Sequence, residues 1–231
     1  MRNSAGVNDL AHDHAIKPLD ELAQELLLAL DHPALRPFHA VWPAAPAARA
    51  MPSSTTGGVP PLPTDPRVIP SALPVLDWLP GIAAGRHDFA APLIGAVCRA
   101  APSLRWCQSY SQAQVDAKQI DAGFLRNYGY TEIIGLTASR KCRRLSCGFL
   151  LLAPHTHYPP HRHEAEEIYV PLSGTARWLQ GDGVWREQPP GTVIHHRSSE
   201  LHAMRTADGP LLALYVWRSA DLRQTARLVT A

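Results

Sequence analysis

The sequence predicts a mainly β protein in which a helical, proline-rich N-terminal cap covers a small antiparallel barrel or sandwich. From Tyr130 onward, short runs of strand-forming residues recur about every 8 to 12 residues, separated by Gly, Pro, Asp and Ser. The stretch before Tyr130 shows helical spacing and many prolines instead. The 231 residues, 45% of them hydrophobic, suffice for one large domain or a small pair. We therefore expect a cap over residues 1–125 and a barrel over residues 126–231.

Two amphipathic helices are predicted in the cap. The first covers residues 17–31, with acidic residues near its start and His32 and Pro33 at its end. Its apolar side chains follow helical spacing: Leu19, Leu22, Leu26, Leu27 and Leu30. The second covers residues 88–100 with Asp88 as its N-cap, and a further helix or turn follows at 103–113. The apolar face of the first helix leaves a homodimer contact open.

Between these helices, from about residue 33 to residue 80, the composition shifts to Pro, Ala, Ser, Thr and Gly. Its prolines exclude a continuous helix or a central strand. They stand at positions 60, 61, 63, 66, 70 and 74. We expect a meandering loop with one short helix near residues 36–42.

The β region divides into eight predicted strands, bounded by turn-forming residues. Their ranges are 131–136, 144–153, 166–172, 175–180, 183–187, 191–195, 201–206 and 210–217. Short strands at this spacing are typical of an antiparallel barrel or sandwich.

Composition excludes several classes of function. A formal net charge of +2 is too small to favour nucleic acid or an anionic membrane as a partner. No run of about 18 apolar residues is present, and the first residues lack the apolar core of a secretory signal. The four cysteines form no C-x-x-C pair, so we expect free thiols in a reducing cytoplasm.

A cluster of metal-binding residue types lies within the β region. His161, His163, Glu167 and Tyr169 are all odd-numbered, so they share one face of a strand, or of two strands that keep phase through a turn. His202 follows as a lone histidine. Imidazole nitrogen and carboxylate oxygen suit Zn, Fe, Mn, Co or Ni, so one divalent transition metal is the expected cofactor.

The stretch from His161 to Gly174 resembles the first motif of the cupin superfamily. His161-Arg162-His163, three residues, Glu167, six residues and Gly174 reproduce the motif without a gap. Within it, His161 is either a ligand or a residue that orients a ligand or the substrate. This resemblance implies a double-stranded β-helix, the cupin jelly roll, with the metal inside its mouth.

The second cupin motif is also present, in altered form. Pro190-Gly191 begins it, and His202 lies eleven residues past the glycine. Ser198-Ser199-Glu200 replaces the Pro-x-Gly that usually precedes this histidine. His195 and His196, on the same predicted strand, are lesser candidates for lining the cavity.

A closer resemblance is to the cupin-type dimethylsulfoniopropionate lyases. It covers roughly residues 125–222, and the tyrosines at 158 and 169 add to its specificity. The segments that carry it are 127–135, 158–169, 202–204 and 210–218. It implies a β-elimination that releases dimethyl sulfide and acrylate from a small sulfonium carboxylate.

The resemblance implies roles for two tyrosines in this reaction. A metal cation that binds the substrate carboxylate stabilises the enolate-like charge and lowers the pKa of a nearby phenol. Either tyrosine then fits as the base; we favour Tyr158, with Tyr169 as a ligand or second candidate. Trp178 and Tyr128 are candidate faces for the sulfonium, because aromatic rings attract cations. Each of these four side chains could instead simply pack in the interior of the barrel.

Two other functions fit the same ligands. An Fe(II) dioxygenase would use His163, Glu167 and His202 and leave positions open for oxygen. A non-catalytic cupin would bind a small acid without converting it. Fold alone does not separate these functions, because cupins support many reactions.

Overall fold

The computed structural model describes residues 17–44, 73–85, 89–181 and 183–229. Within these ranges the chain forms six α-helices, three short 3₁₀ turns at Pro33–Leu35, Pro74–Trp78 and Ala101–Ser103, and twelve strands. The helices are α1 (Leu19–Ala29), α2 (Arg36–His39), α3 (Leu79–Ala83), α4 (Ala91–Ala100), α5 (Gln112–Asp116) and α6 (Phe124–Asn127). None of these helices has the length and apolar character needed to cross a membrane.

The strands alternate with short turns over the second half of the chain. They are β1 (Trp106–Cys107), β2 (Tyr128–Gly135), β3 (Arg140–Lys141), β4 (Leu145–Leu152), β5 (His157–Arg162), β6 (Glu166–Ser173), β7 (Ala176–Gln180), β8 (Val184–Gln188), β9 (Ile194–His196), β10 (His202–Thr206), β11 (Leu211–Arg218) and β12 (Arg227–Leu228). Each of the eight predicted strands corresponds to an observed one, with ends displaced by a few residues.

Two sheets face each other and form the jelly roll. The larger has the order β1-β2-β4-β11-β6-β9 with β3 beside β2, and the smaller has the order β12-β5-β10-β7-β8. All pairings except β2 with β3 are antiparallel. Side chains from both sheets, including Tyr158, Trp178 and Tyr215, share one buried cluster between them. The predicted mainly β jelly roll is therefore confirmed.

The helices cover the outer face of the larger sheet. On β4, Phe149 and Leu151 point into a second core shared with α1 and α4, whereas Leu150 and Leu152 point into the barrel. This two-sided burial explains why β4 is buried along its whole length, because a strand covered on both faces carries apolar side chains in both phases. Arg140 joins α1 to the barrel through an ion pair with Asp20.

The first predicted helix is confirmed as α1, and the short helix near 36–42 is α2. The second predicted helix begins at Ala91, and its expected N-cap, Asp88, lies outside the described residues. Most of the proline-rich stretch also lies outside them. In place of one helix or turn at 103–113, the chain forms β1 and then α5, which begins with a capping box at Ser111. The division at residue 125 stays a prediction.

Two prolines lie within a strand that is not among the eight predicted ones. Pro159 and Pro160 both belong to β5. The strand tolerates them because its pairing with β10 is irregular between His202 and Met204, so the ladder does not need an N–H from each residue. Pro160 still contributes its carbonyl, which accepts a hydrogen bond from the Val229 backbone at 2.8 Å.

Gly174 turns the chain from β6 to β7. It has φ +81°, and a Cβ there would lie 2.1 Å from the carbonyl oxygen of Pro210. Glycine is therefore required both for the left-handed backbone and for the close approach of the neighbouring chain. The same turn aligns β6 with β11 and places Glu167 opposite Trp217.

Candidate metal centre and active site

The four predicted metal ligands meet inside the barrel. His161 lies on β5, His163 follows the end of that strand, Glu167 lies on β6 and His202 on β10. His202 pairs directly with His161 across the smaller sheet. All four side chains are 5% exposed or less. Three strands and the segment that follows β5 thus converge on a single buried point.

The three histidine rings are held in one tautomer. The Nδ1 of His161 lies 2.8 Å from the Pro159 carbonyl oxygen, and the Nδ1 atoms of His163 and His202 each lie 2.9 Å from a backbone carbonyl. A carbonyl oxygen only accepts, so each Nδ1 carries a proton, and Nε2 is the atom of each ring that can ligate a metal. The ligand nitrogens of the three rings lie within 4.8 Å of one another.

Glu167 completes the cluster. Its Oε2 lies 3.0 Å from His163 Nε2 and 3.3 Å from His202 Nε2. Its Oε1 accepts a hydrogen bond of 2.5 Å from the indole N–H of Trp217. Burial raises the pKa of Glu167, but its contacts with His163 and His202 outweigh burial and hold the pKa well below its ordinary value. The carboxylate is therefore ionised, with one oxygen directed at the histidines.

This donor set fits a divalent transition metal. The Nε2 of His202 is buried and has no hydrogen bond of good geometry among the described residues, although Glu167 is near. Burial and the neighbouring His202 lower the pKa of His161 well below its ordinary value, so this ring is neutral. Imidazole nitrogens and an ionised carboxylate, each fixed by an outer hydrogen bond, are the ligands that such metals bind.

The two candidate bases line the cavity beside this cluster. A cavity of about 160 Å³ opens onto Tyr158, Glu167 and Tyr169. Burial raises the pKa of both tyrosines well above the ordinary value, and Glu167 raises that of Tyr169 further. Neither phenol would ionise in this setting without a cation nearby.

Each tyrosine has a different supporting contact. The ring of Tyr158 stacks on His161 with centroids 4.3 Å apart, and its hydroxyl lies 3.3 Å from that of Tyr110. Tyr169 packs on Trp178, with centroids 4.9 Å apart. Burial raises the pKa of Tyr110 to about 12, so Tyr110 stays protonated and can donate to Tyr158.

The two candidate sulfonium faces occupy different places. Tyr128 lines the cavity and hydrogen-bonds Ser109 at 3.2 Å. Trp178 is fully buried behind Tyr169 and is not among the residues that line the cavity. The described geometry therefore supports Tyr128 better than Trp178 as a surface for substrate.

Two further residues contact the metal cluster. Trp217 was not among the predicted site residues, but it lines the cavity, donates to Glu167 and packs on His163 with centroids 4.2 Å apart. His196 was a lesser candidate, but its buried ring stacks on His202 with centroids 4.2 Å apart. Alternation along β11 could have identified Trp217, because it shares strand phase with the inward-facing Tyr215.

Comparison with known proteins bears on what this site does. A family model for dimethylsulfoniopropionate lyases matches residues 61–213, more than half of the chain. The chain belongs to this family. It is therefore a member of a family of lyases. The match covers β2 to β10 and includes every candidate site residue except Tyr215 and Trp217 on β11.

Individual relatives agree with this membership. The dimethylsulfoniopropionate lyase DddQ of Ruegeria pomeroyi is 32% identical over 197 residues, which are 84% of this chain and 89% of that protein. DddL of Cereibacter sphaeroides, provisionally named as such a lyase, is 32% identical over 130 residues. That second match covers 55% of this chain and 51% of DddL, about half of the relative's length.

Solved structures of the family have the same fold. One of the crystal structures of the lyases RdDddP and RnDddQII superposes with a TM-score of 0.71 at 28% identity, covering 92% of this chain and 96% of the other. The crystal structure of DddQ from Ruegeria pomeroyi superposes with a TM-score of 0.60 at 26% identity, covering 90% and 96%. The family resemblance read from the sequence is thus confirmed.

Proposed function

We propose that this protein cleaves dimethylsulfoniopropionate into dimethyl sulfide and acrylate by β-elimination. The proposal rests on one observation: three histidines, each with its Nδ1 hydrogen-bonded to a backbone carbonyl, meet Glu167 beside two tyrosines that line the cavity. Family membership supports the substrate. The four free thiols suit a reducing compartment, so a cytoplasmic location is part of the proposal.

In this proposal His161, His163, Glu167 and His202 hold one divalent transition metal. When bound, the metal supplies Lewis-acid stabilisation for the negative charge that develops on the substrate carboxylate. The protein fixes the positions of the ligands through backbone carbonyls and through Trp217. The buried walls around them exclude water and thereby strengthen each electrostatic contact.

A tyrosine acts as the base. It removes a proton from the carbon next to the carboxylate; those electrons form the new double bond, and the carbon–sulfur bond breaks with its electron pair on sulfur. We favour Tyr158, because the Tyr110 hydroxyl can stabilise its phenolate and its ring lies against His161. Tyr169 remains the second candidate, since it neighbours Glu167 and can instead contact the metal.

The direct test is headspace gas chromatography of the purified protein with dimethylsulfoniopropionate. We expect dimethyl sulfide to be released at the same rate in air and under argon, to vanish after a chelator, and to return with added divalent metal. No gas from metal-loaded protein would refute the lyase proposal. Oxygen consumption in air together with inactivity under argon would favour the dioxygenase.

Trp217 is expected to support metal binding. Trp217→Phe keeps a ring against His163 but removes the hydrogen bond to Glu167. Loss of such an outer contact should weaken metal affinity about 10- to 100-fold. Competition against a chromophoric chelator measures the change. Trp185→Phe, on β8 outside the site, is the matched control and should bind metal like the parent; unchanged affinity in the Trp217 variant would contradict the supporting role.

A further inference from the structure

The cavity is lined by two chemically different groups of residues. Its lining includes Glu167 and Tyr169 on β6 and, two to three strands away in the same sheet, Ser146 and Glu132, with Tyr215 between them. The β-sheet register connects them: Glu132 pairs with Gly148, Gly148 with Tyr215, and Tyr215 with Tyr169. Three strand spacings of about 4.8 Å separate the backbones of Glu132 and Tyr169, before their side chains extend toward each other into the barrel.

Glu132 is a carboxylate without an ion-pair partner among the described residues. Its Oε1 accepts from the Ser146 hydroxyl at 2.8 Å. Its Oε2 accepts from the backbone N–H of Thr137 at 2.9 Å, the Thr137 hydroxyl at 2.6 Å and the backbone N–H of Ala138 at 2.9 Å. Four donated hydrogen bonds are the environment of an ionised, acceptor-only carboxylate.

Aromatic rings stand beside this charge. Tyr130 and Tyr215 both line the cavity, with ring centroids 6.4 Å apart in an edge-to-face arrangement. Gly148 lies between Glu132 and Tyr215 in the sheet, where a Cβ would lie 1.8 Å from the Thr131 carbonyl oxygen, so the strands pack closely and no side chain separates the two residues. A carboxylate next to tyrosine faces attracts a desolvated onium cation, such as a sulfonium or a quaternary ammonium.

We propose that Glu132, flanked by Tyr130 and Tyr215, is the counter-charge that selects a cationic group at one end of the ligand while the histidine cluster binds its carboxylate. This inference rests on the proposed function and adds a specificity residue to it. It places the cation beside Glu132 and not against Trp178, which does not line the cavity. Ligands with a neutral group in place of the cation should bind more weakly.

The test compares two inert analogues on the metal-loaded protein by calorimetry. β-Alanine betaine carries a trimethylammonium in place of the sulfonium, and isocaproate carries a neutral branched carbon there. Removing one opposite charge at close range in a partly buried site is worth about tenfold or more in affinity. We expect Glu132→Gln to weaken betaine by about that factor and to leave isocaproate within about twofold.

Controls separate charge from structure. Glu187→Gln removes the same charge from an exposed position on β8 and should change neither affinity. Thr137→Ala removes one hydrogen bond to Glu132 but keeps the charge, so it should keep the preference for betaine. If Glu132→Gln does not fold, Tyr130→Leu tests the same selectivity and should weaken betaine alone by several-fold.

Equal weakening of both analogues in Glu132→Gln, or no change in either, would overturn this inference. Binding is read without turnover, so the two proposals fail separately. A parent protein that prefers betaine but releases no dimethyl sulfide would refute only the proposed function. An active lyase whose Glu132→Gln variant still prefers betaine would refute only the role of Glu132.

Discussion

Tyr158→Phe is expected to lower kcat for release of dimethyl sulfide by at least about 100-fold, because the variant lacks the proton acceptor. Metal content should stay at the level of the parent protein. Tyr169→Phe should also lose activity, but with weakened metal affinity if its hydroxyl is a ligand. Gas chromatography and elemental analysis of the same preparations measure both quantities.

Tyr110→Phe separates the two candidate bases. It removes only the hydroxyl that lies 3.3 Å from that of Tyr158. If Tyr158 is the base, we expect activity to fall and the acidic limb of the pH–rate profile to move to higher pH, because its phenolate loses a donor. If Tyr169 is the base, both should remain unchanged. Full activity in both Tyr158→Phe and Tyr169→Phe would exclude a tyrosine base.

His202→Ala is expected to empty the metal site and to reduce activity to background. His202 is one of three imidazoles fixed in the barrel, and among the described residues its removal leaves His163 as the remaining imidazole paired with Glu167. Elemental analysis after dialysis should find metal below about one tenth of the parent's content, since a cluster that loses a ligand binds far more weakly.

The matched control for this experiment is His195→Ala. His195 lies on β9, but its Nε2 contacts Glu166 at 2.8 Å on the outer side of the strand, away from the metal cluster. We expect this variant to retain metal and activity. Equal metal content in the His202 and His195 variants would show that the histidine cluster does not hold the ion.

The sequence predicted the barrel well because period-2 alternation and turn residues are local signals. It missed β1, β3 and β12, each two residues long, because such pairs exist only where the rest of the fold supplies a partner. It also missed β5, where irregular pairing with β10 accommodates two prolines. Both errors concern tertiary pairing, which one strand's residues do not encode.

The candidate site shows a similar division. The shared phase of His163 and Glu167 placed them on the inner face, and the structure brings them within 3.0 Å. The alternation of side chains along a strand shows which face of the sheet a residue lies on, but not how deeply it is buried. Trp178 was a candidate to contact the substrate, but it lies behind Tyr169. Glu132 lies in the segment 127–135, one of those that carry the family resemblance. Its four hydrogen bonds come from a turn and from a neighbouring strand, and the spacing of residues in the sequence does not predict these contacts.

The Nδ1–H groups of the three histidines donate to the backbone carbonyls of residues 159, 165 and 200, each two positions from its histidine. The path of the backbone therefore sets the orientation of each ring. Substitution of the side chains at those three positions should not change it. A slip in the register of β5 against β10 would instead leave each ring on its own carbonyl but move His161 away from His202. The site should therefore tolerate side-chain substitutions at residues 159, 165 and 200, but not a change in the path of the backbone.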